Sequence, residues 1–357
     1  MKKRIEKLRK RFEGAGVDAL YVTNPENRFY LSGFTGTAGA LLLCRDKSYL
    51  ITDFRYVGQA SRESPDNQVI EAAGESSEAL PKLLSENSVL LLGLEGDHLT
   101  HNQFLALREK LSGVELKNPA GLVEELRARK DKREIALIEE AVRLADEAFT
   151  EILPLIRPGV PEREVALQLE YSMRRLGAEG AGFKIIVASG YRSSLPHGVA
   201  SPRIMAQGDL VTLDFGAVYG GYHSDITRTV VLGKSEQKQR EIYQLVLEAQ
   251  MSAIASLRAG ISASEVDRAA RGIIERAGYG ERFGHSTGHG VGLSIHEQPR
   301  LASKDQFLLE DGMVVTVEPG IYLPGWGGVR IEDTVLVVNG GCRVLTRSPK
   351  NKLLSLS

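Results

Sequence analysis

Cysteine is scarce in this chain: Cys44 and Cys342 are the only two among 357 residues, too few for a disulfide framework in a protein of this size. No apolar run approaches the roughly twenty residues of a membrane span. Charge of one sign is not in excess either. Lys and Arg total 45 against 46 Asp and Glu, so the composition carries no electrostatic footprint for nucleic acid or an anionic membrane. The opening residues, MKKRIEKLRKRFEGAG, are basic but lack the apolar core of a secretory signal. Ile5, Leu8 and Phe12 fall instead on one face of a helix. These absences leave a soluble cytoplasmic protein as the expectation.

The 42% apolar and 25% charged fractions are those of an ordinary globular protein, and the length exceeds what one growing hydrophobic core sustains, which predicts two domains. Up to about residue 120, short β-rich runs alternate with amphipathic stretches. VDALYVT (17–23), GALLLC (39–44), SYLITD (48–53) and SVLLLGL (88–94) read as strands, and segments near 56–63, 77–85 and 101–112 as helices. That alternation predicts an α/β domain over 1–122. From Val123 the text becomes charge-dense, EELRARKDKREIALIEEA. It reads as a connecting helix with a solvated face, opening a second domain over 123–357.

The second domain repeats itself. At an offset of 101, Leu144 meets Leu245, Glu147-Ala148 meets Glu248-Ala249, Arg157-Pro158-Gly159 meets Arg258-Ala259-Gly260, Glu164-Val165 meets Glu265-Val266, and Gly177 meets Gly278. The second copy carries a capping-box pattern, Ser262 to Glu265. After small length changes, HGV at 197–199 parallels HGV at 289–291. LDFG ending at 216 parallels VEPG ending at 320, and SDIT (224–227) parallels IEDT (331–334). Asp214 is thereby set opposite Glu318, and Asp225 opposite Glu332. Two helix-plus-strand halves related by a pseudo-twofold, folded around one site, follow.

GHSTGHGVGLSIHE (284–297) places His285, His289 and His296, three of the chain's seven histidines, in one glycine-rich stretch. Asp214 follows Leu-Val-Thr-Leu and Glu318 follows Val-Val-Thr-Val, strands of a kind that bury at least one face. Carboxylates gathered on inward-facing strands cannot all stay ionised without counter-charge. Two divalent cations would set +4 against the −4 of Asp214, Asp225, Glu318 and Glu332. Four carboxylates and one imidazole make an oxygen-rich, moderately hard donor set, unlike the thiolate-rich structural zinc centre. A pair of such metals polarises a carbonyl and deprotonates a shared water. The chemistry implied is hydrolysis.

The series LDFGA, HSDITRT, GHSTGHGVGL, VEPG and RIEDT resembles the motifs of the M24 metallopeptidases of pita-bread fold, a family that includes methionine aminopeptidase, aminopeptidase P and prolidase. The resemblance implies that Asp214 chelates one metal, that Asp225 and Glu332 bridge both, and that His289 and Glu318 complete the second. It implies a proton-shuttling role for Glu318 and an oxyanion-stabilising role for His197, with His296 as a further catalytic candidate. His197, His285, His296 and Arg330 would line the substrate pocket, Arg330 by pairing with nearby carboxylates. His98, His101 and His223 have no such match and read as structural. Gly288, Gly290 and Gly292 suggest a backbone that approaches the substrate closely.

Within the family, the N-terminal domain, the creatinase-like TNPENRFYLSGFTGTAGALL…ITDFRY (23–56), and LPHG with GLSIHE favour the Xaa-Pro branch, which implies cleavage before proline in dipeptides or at peptide N-termini. Mn²⁺ is the first expectation, with Co²⁺, Zn²⁺ or Fe²⁺ as alternatives, and short proline-containing peptides and a second copy of the chain are the expected partners. A methionine-aminopeptidase-like exopeptidase and a metal-free binding protein on the same fold are the competing readings.

Overall fold

The charge-dense stretch after Val123 forms two helices rather than one. Asp131 caps the second: its side chain accepts from the backbone N–H of Arg133 and of Glu134, each at 2.9 Å, while Glu134 accepts from Asp131 N at 2.8 Å. This reciprocal box fixes Asp131 in extended backbone, ψ 172°, so the helix Glu124–Ala128 must end before Lys132–Ile152 begins. In the computed structural model all 357 residues are described, and they separate into two compact units, Met1–Arg127 and Ala128–Ser357. The division falls at the last residue of the short helix, whereas the sequence reading divides the chain ahead of it, between 122 and 123. Within the first unit that helix is tied down by Asn27, which donates to Glu124 and accepts from Arg127 at 2.8 Å, and by Tyr30, which donates to Leu126 O at 3.2 Å.

The first unit is a mixed sheet with helices. Its strands are β1 (Ala19–Val22), β2 (Ala40–Cys44), β3 (Ser48–Thr52), β4 (Gln68–Glu71), β5 (Leu91–Leu94) and β6 (Glu115–Lys117), in the order β4-β3-β2-β1-β5-β6. The β1/β5, β5/β6 and β3/β4 pairs are parallel, and β1/β2 and β2/β3 antiparallel. Continuous apolar runs such as ALLLC are buried at every position, as expected of strands covered on both faces. Ile5, Leu8 and Phe12 are all buried, but on two successive helices, Lys2–Arg9 and Phe12–Ala15. A further helix, Pro25–Ser32, is capped by Asn24 and closed by Gly33 at φ 79°.

The second unit consists of two similar halves. In the first, helices Lys132–Ile152 and Glu162–Leu176 cover β8 (Ile186–Ser189), β9 (Leu210–Phe215) and β12 (Ile226–Leu232), the sheet running β20-β12-β9-β8 with β20 at Leu354–Leu356. In the second, helices Gln237–Ser256 and Ala263–Arg276 cover β13 (Gly288–Gly290), β14 (Glu297–Leu301), β15 (Val314–Val317), β18 (Asp333–Val338) and β19 (Gly341–Val344), in the order β14-β13-β15-β18-β19. Each half inserts a hairpin between its central strands: β10 (Ala217–Tyr219) with β11 (Tyr222–His223), and β16 (Gly320–Leu323) with β17 (Gly327–Arg330). The small strand β7 (Gly180–Ala181) pairs with β10.

The repeat extends to individual hydrogen bonds. Gly159 N donates to Met205 O at 2.9 Å and Gly260 N to Leu309 O at 2.8 Å; Pro161 bridges Ile204 and Ser262 bridges Leu308. The HGV fragments do not share this equivalence. His289 lies on β13, beside β15, whereas His197 lies in a turn beyond β8. By register, β8 pairs Ile186 with Asp214 while Glu318 N donates to Thr287 O, which makes Ala188 the counterpart of His289. The two halves thus carry matched acids, but only the second has an imidazole at this register position.

Candidate metal centre

Strand alternation decides which side chains meet between the halves. Val211, Leu213 and Phe215 of β9, with Ile226 and Val230 of β12, enter the helix-covered core of the first half; Val315 and Val317 of β15 with Val335 and Val337 of β18 do so in the second. With a period of two, Thr212, Asp214, Thr227 and Thr229 must project from the opposite face of the first sheet, and Thr316, Glu318, Glu332 and Thr334 from that of the second. Asp225 and Glu332 occupy the residue just ahead of β12 and β18, and not the strands proper.

The halves are sewn together at these residues. Thr334 Oγ1 donates to Asp225 O at 2.7 Å, Glu332 N donates to Thr227 O at 3.1 Å, and Thr227 Oγ1 donates to Glu332 Oε2 at 2.7 Å. Asp225 and Glu332 are 4% and 2% exposed. Donor atoms of Asp225, His289 and Glu332 all lie within 4.8 Å of one another. Glu318 Oε1 is 3.4 Å from His289 Nε2, and Asp225 Oδ2 is 3.6 Å from it. Asp214 pairs with Arg330 at 2.6 Å and acts electrostatically on Asp225, Glu318 and Glu332. Asp225, His289, Glu318 and Glu332 are therefore gathered around one point, and Asp214, held by Arg330, is near enough to act on the other three acids.

Proton affinities record the crowding. Burial, with the neighbouring charges of Glu332, Asp214 and Glu318, holds Asp225 well above the ordinary carboxylate range. Burial does the same to Glu332, reinforced by Glu318 and Asp214. Glu318 is pushed to about 8 by burial, against the opposing pull of Arg330. Asp214 is raised by burial, with Arg330 again opposing. His289 moves the other way, to about 4, through burial and then the nearby His296, so its ring is neutral near pH 7.

The neutral ring has a definite orientation. His289 Nδ1 lies 3.1 Å from Gly290 O, an atom that only accepts, so Nδ1 carries the hydrogen. Nε2 then presents a bare lone pair to two carboxylates, while the buried Asp225 Oδ1 has no hydrogen-bond partner. Acids crowded at this depth until protons must neutralise them, beside a bare imidazole nitrogen, fit divalent cations in place of those protons, and oxygen donors with one imidazole fit a moderately hard one. The charge count needs a correction: Arg330 is buried against Asp214, so the four acids leave −3 rather than −4. Two divalent cations would then leave room for one anionic ligand.

Around this centre, Arg330 donates through Nε to Thr227 Oγ1 at 3.1 Å, through Nη1 to Tyr322 OH at 2.9 Å and Pro196 O at 3.2 Å, and through Nη2 to Asp214. Every donor-bearing nitrogen is held by the protein, which suits a supporting role more than direct contact with substrate. His285 has Nδ1 at 2.8 Å from Ser286 O and Nε2 at 2.8 Å from Tyr322 OH; burial, with Arg330 next, lowers its pKa to about 4. Tyr322 is therefore a link between His285 and Arg330, a residue the sequence pattern leaves unmarked because a tyrosine in a short hairpin strand reads as packing. His296 is exposed and stacks edge-on against His289 at 4.2 Å between ring centroids. His197 is also exposed and acts electrostatically on Asp214, His285 and His296. His98 and His101 are exposed on the first unit, and His223 Nδ1 lies 3.2 Å from Gly292 O.

Packing within the protein already requires the glycines beside His289. A Cβ on Gly288 would stand 2.0 Å from Thr316 O, and one on Gly290 2.2 Å from Gln298 O; on Gly292 it would meet the Glu297 carboxylate at 2.3 Å. Backbone packing from two neighbouring strands excludes side chains at the first two positions.

Two sheets facing each other under paired helices, with an acid-rich centre between their inner faces, define a metallohydrolase of duplicated architecture. The chain belongs to metallopeptidase family M24, whose model matches residues 136–339; residues 4–129 match the creatinase/prolidase N-terminal domain. It is 41% identical to the Xaa-Pro dipeptidase of Pyrococcus furiosus over 355 residues, covering 99% of this chain and 100% of that one. Among solved structures it resembles the Xaa-Pro dipeptidase from Bacillus anthracis, with 49% identity, a TM-score of 0.97 and 99% of each chain covered. It also resembles the X-Pro aminopeptidase from Thermotoga maritima, with 38% identity, a TM-score of 0.90 and 99% of each chain covered. The fold is thus a creatinase-type N-terminal domain followed by an M24 catalytic domain, and the protein is a metallo-exopeptidase.

Proposed function

We propose that this enzyme hydrolyses the bond preceding proline, in Xaa-Pro dipeptides first and at peptide N-termini second, using two divalent cations held by Asp214, Asp225, His289, Glu318 and Glu332. The observation that carries the reading is the bare Nε2 of His289 facing Asp225 and Glu318, in a chain so similar to proteins named Xaa-Pro dipeptidase. When bound, the cations would polarise the scissile carbonyl and acidify a water. Mn²⁺ is the ion we expect.

The remaining work falls to side chains. Glu318 takes the proton of the attacking water and returns it to the imide nitrogen, which, as proline nitrogen, carries no hydrogen of its own. His197, exposed above Asp214, donates to the oxyanion as the carbonyl becomes tetrahedral. His296, against His289, and His285, fixed by Tyr322, border the substrate, and Arg330 keeps Asp214 and Thr227 in place. A second reading, an Xaa-Pro aminopeptidase acting on longer peptides, is favoured by the likeness to the Thermotoga maritima structure. We further propose a cytoplasmic homodimer, tested by sedimentation; no helix is long and apolar enough to cross a membrane.

The test is purified Mn²⁺-loaded protein offered an Xaa-Pro dipeptide, an Xaa-Pro-Xaa tripeptide and a Met-Ala peptide. Preferential turnover of the dipeptide supports the first reading and preferential turnover of the tripeptide the second. Turnover of Met-Ala alone, or of none, contradicts both.

A further inference from the structure

His197 is exposed, yet a group that must meet a transition state needs a fixed position. The segment Ser189–Ser201 that carries it has a buried anchor away from the metal centre. Glu162, the first residue of helix Glu162–Leu176, is fully buried. Its Oε1 accepts from Ser189 N and Ser189 Oγ, each at 2.7 Å. Its Oε2 accepts from Ser201 N at 3.1 Å, Ser201 Oγ at 2.6 Å and Arg192 Nη1. One carboxylate thus joins both ends of the segment with five donors.

Within the segment, Arg192 Nη2 donates to Val199 O at 2.8 Å, Ser193 Oγ accepts from Gly328 N at 2.8 Å, and Pro196 O accepts from Arg330. His197 is bracketed by held points on both sides. The second half has an analogous arrangement. Asp267, equally buried, accepts from Thr287 N at 3.2 Å and Thr287 Oγ1 at 2.8 Å, and pairs with Arg271, which donates to Phe283 O and His285 O. In both halves an acid on the inner helix grips a residue at or beside the end of a strand through its N–H and its hydroxyl, and uses an arginine to steady the chain beside it.

We infer that Glu162 is a positioning residue, which by clamping Ser189 and Ser201 around Arg192 sets His197 over the centre. This rests on the reading of His197 as the oxyanion donor. The requirement is for a charged acceptor: five donors converge on one carboxylate, and an amide would turn two hydrogens toward Arg192 and Ser201.

The experiment is a double-mutant cycle of Glu162→Gln and His197→Ala in the Mn²⁺-loaded enzyme, with metal content and hydrogen exchange measured on the same samples. Glu162→Gln should lower kcat by roughly 10–100-fold, the range for groups that orient a site residue, with KM and metal content nearly unchanged. It should add nothing to His197→Ala, because the clamp acts through that ring. Exchange should rise in 189–201 and stay unchanged in β9 and β15. Ser201→Ala, which removes one donor, should show the same pattern to a smaller degree and serves if Glu162→Gln does not fold. Losses that multiply in the double variant, or unaltered exchange in 189–201, overturn the inference. Should the wild-type enzyme not turn over Xaa-Pro peptides, the functional reading fails separately, and the exchange result still decides whether the clamp exists.

Discussion

Asp225 and Glu332 are bound to each other's half of the molecule: Thr334 Oγ1 donates to Asp225 O at 2.7 Å, and Glu332 N donates to Thr227 O at 3.1 Å. Each acid stands just ahead of a strand, with the threonine two residues on reaching across the pseudo-twofold. Two acids so constrained cannot move apart to relieve their repulsion. Asp225→Asn or Glu332→Gln should therefore remove metal and lower turnover by more than about 100-fold, beyond the range seen for supporting residues. Metal analysis and steady-state kinetics on the same sample check this, and a folded, metal-depleted variant with near-wild-type rate would contradict it.

His197 lies outside the cluster of donor atoms. His197→Ala should keep the full metal content and lose roughly 10²–10³-fold in kcat, the usual loss for one oxyanion donor. Loss of metal in this variant would assign the ring to the metal centre instead.

The raised proton affinities make a prediction for the metal-free protein. Glu318 sits at about 8 in the folded state against 4.5 for the free side chain, and Asp225, Glu332 and Asp214 are displaced in the same direction. A folded pKa above the unfolded one means stability that is complete below the unfolded value and lost as pH rises through the folded one. The metal-free protein should lose stability between about pH 5 and 8, by up to about 1.4 kcal/mol per pH unit for each group titrating. Thermal melts over that range should show the fall, and added Mn²⁺ should reverse it. A metal-free protein whose Tm rises across the interval would contradict the account.

Asp333, the neighbour of Glu332, behaves oppositely. It is buried among Arg228, Lys350, Gln250 and Thr346; burial alone would raise its pKa, but Arg228 and then Lys350 hold it down at about 2. Its stabilising contribution is present above about pH 4 and is lost as pH falls toward 2. Asp333→Asn leaves the buried Arg228 and the half-buried Lys350 short of an anion and should cost about 3–5 kcal/mol in denaturant unfolding. A loss below about 1 kcal/mol would show that Arg228 and Lys350 find other partners.

Gly290→Ala tests the sheet around His289. The added Cβ would press on Gln298 O at 2.2 Å, backbone that cannot swing away, so β13 must shift and carry His289 with it. Weaker metal binding and a lower Tm are expected together. A variant that retains both would mean that β13 yields without cost.

Much of this was readable in the sequence, and for a physical reason. Asp214, Asp225, Glu318 and Glu332 are duplicated positions, and a repeat with acids in register makes a convergent site the simplest arrangement. His289 was legible by its glycine-flanked motif, although the reason for those glycines was not: it lies in the packing of Thr316 and Gln298 from other strands, which no local pattern encodes. Tyr322, Glu162 and Asp267 were illegible because each owes its place to partners far along the chain, such as Ser201 for Glu162. The helix Pro25–Ser32 and the break at Asp131 are a different case. Asn24-Pro25 before Gly33, and Asp131 with Glu134, are local capping signals that stand in the sequence, but charge density and β-rich surroundings obscure them.

The account depends above all on cations occupying the space between the two halves. Anomalous diffraction from Mn²⁺-soaked crystals tests this most directly. The account predicts two peaks roughly 3.5–4 Å apart, flanked by Asp225 and Glu332, with His289 Nε2 directed at one of them. Crystals with full Mn²⁺ access and no peak within reach of these three residues would contradict it.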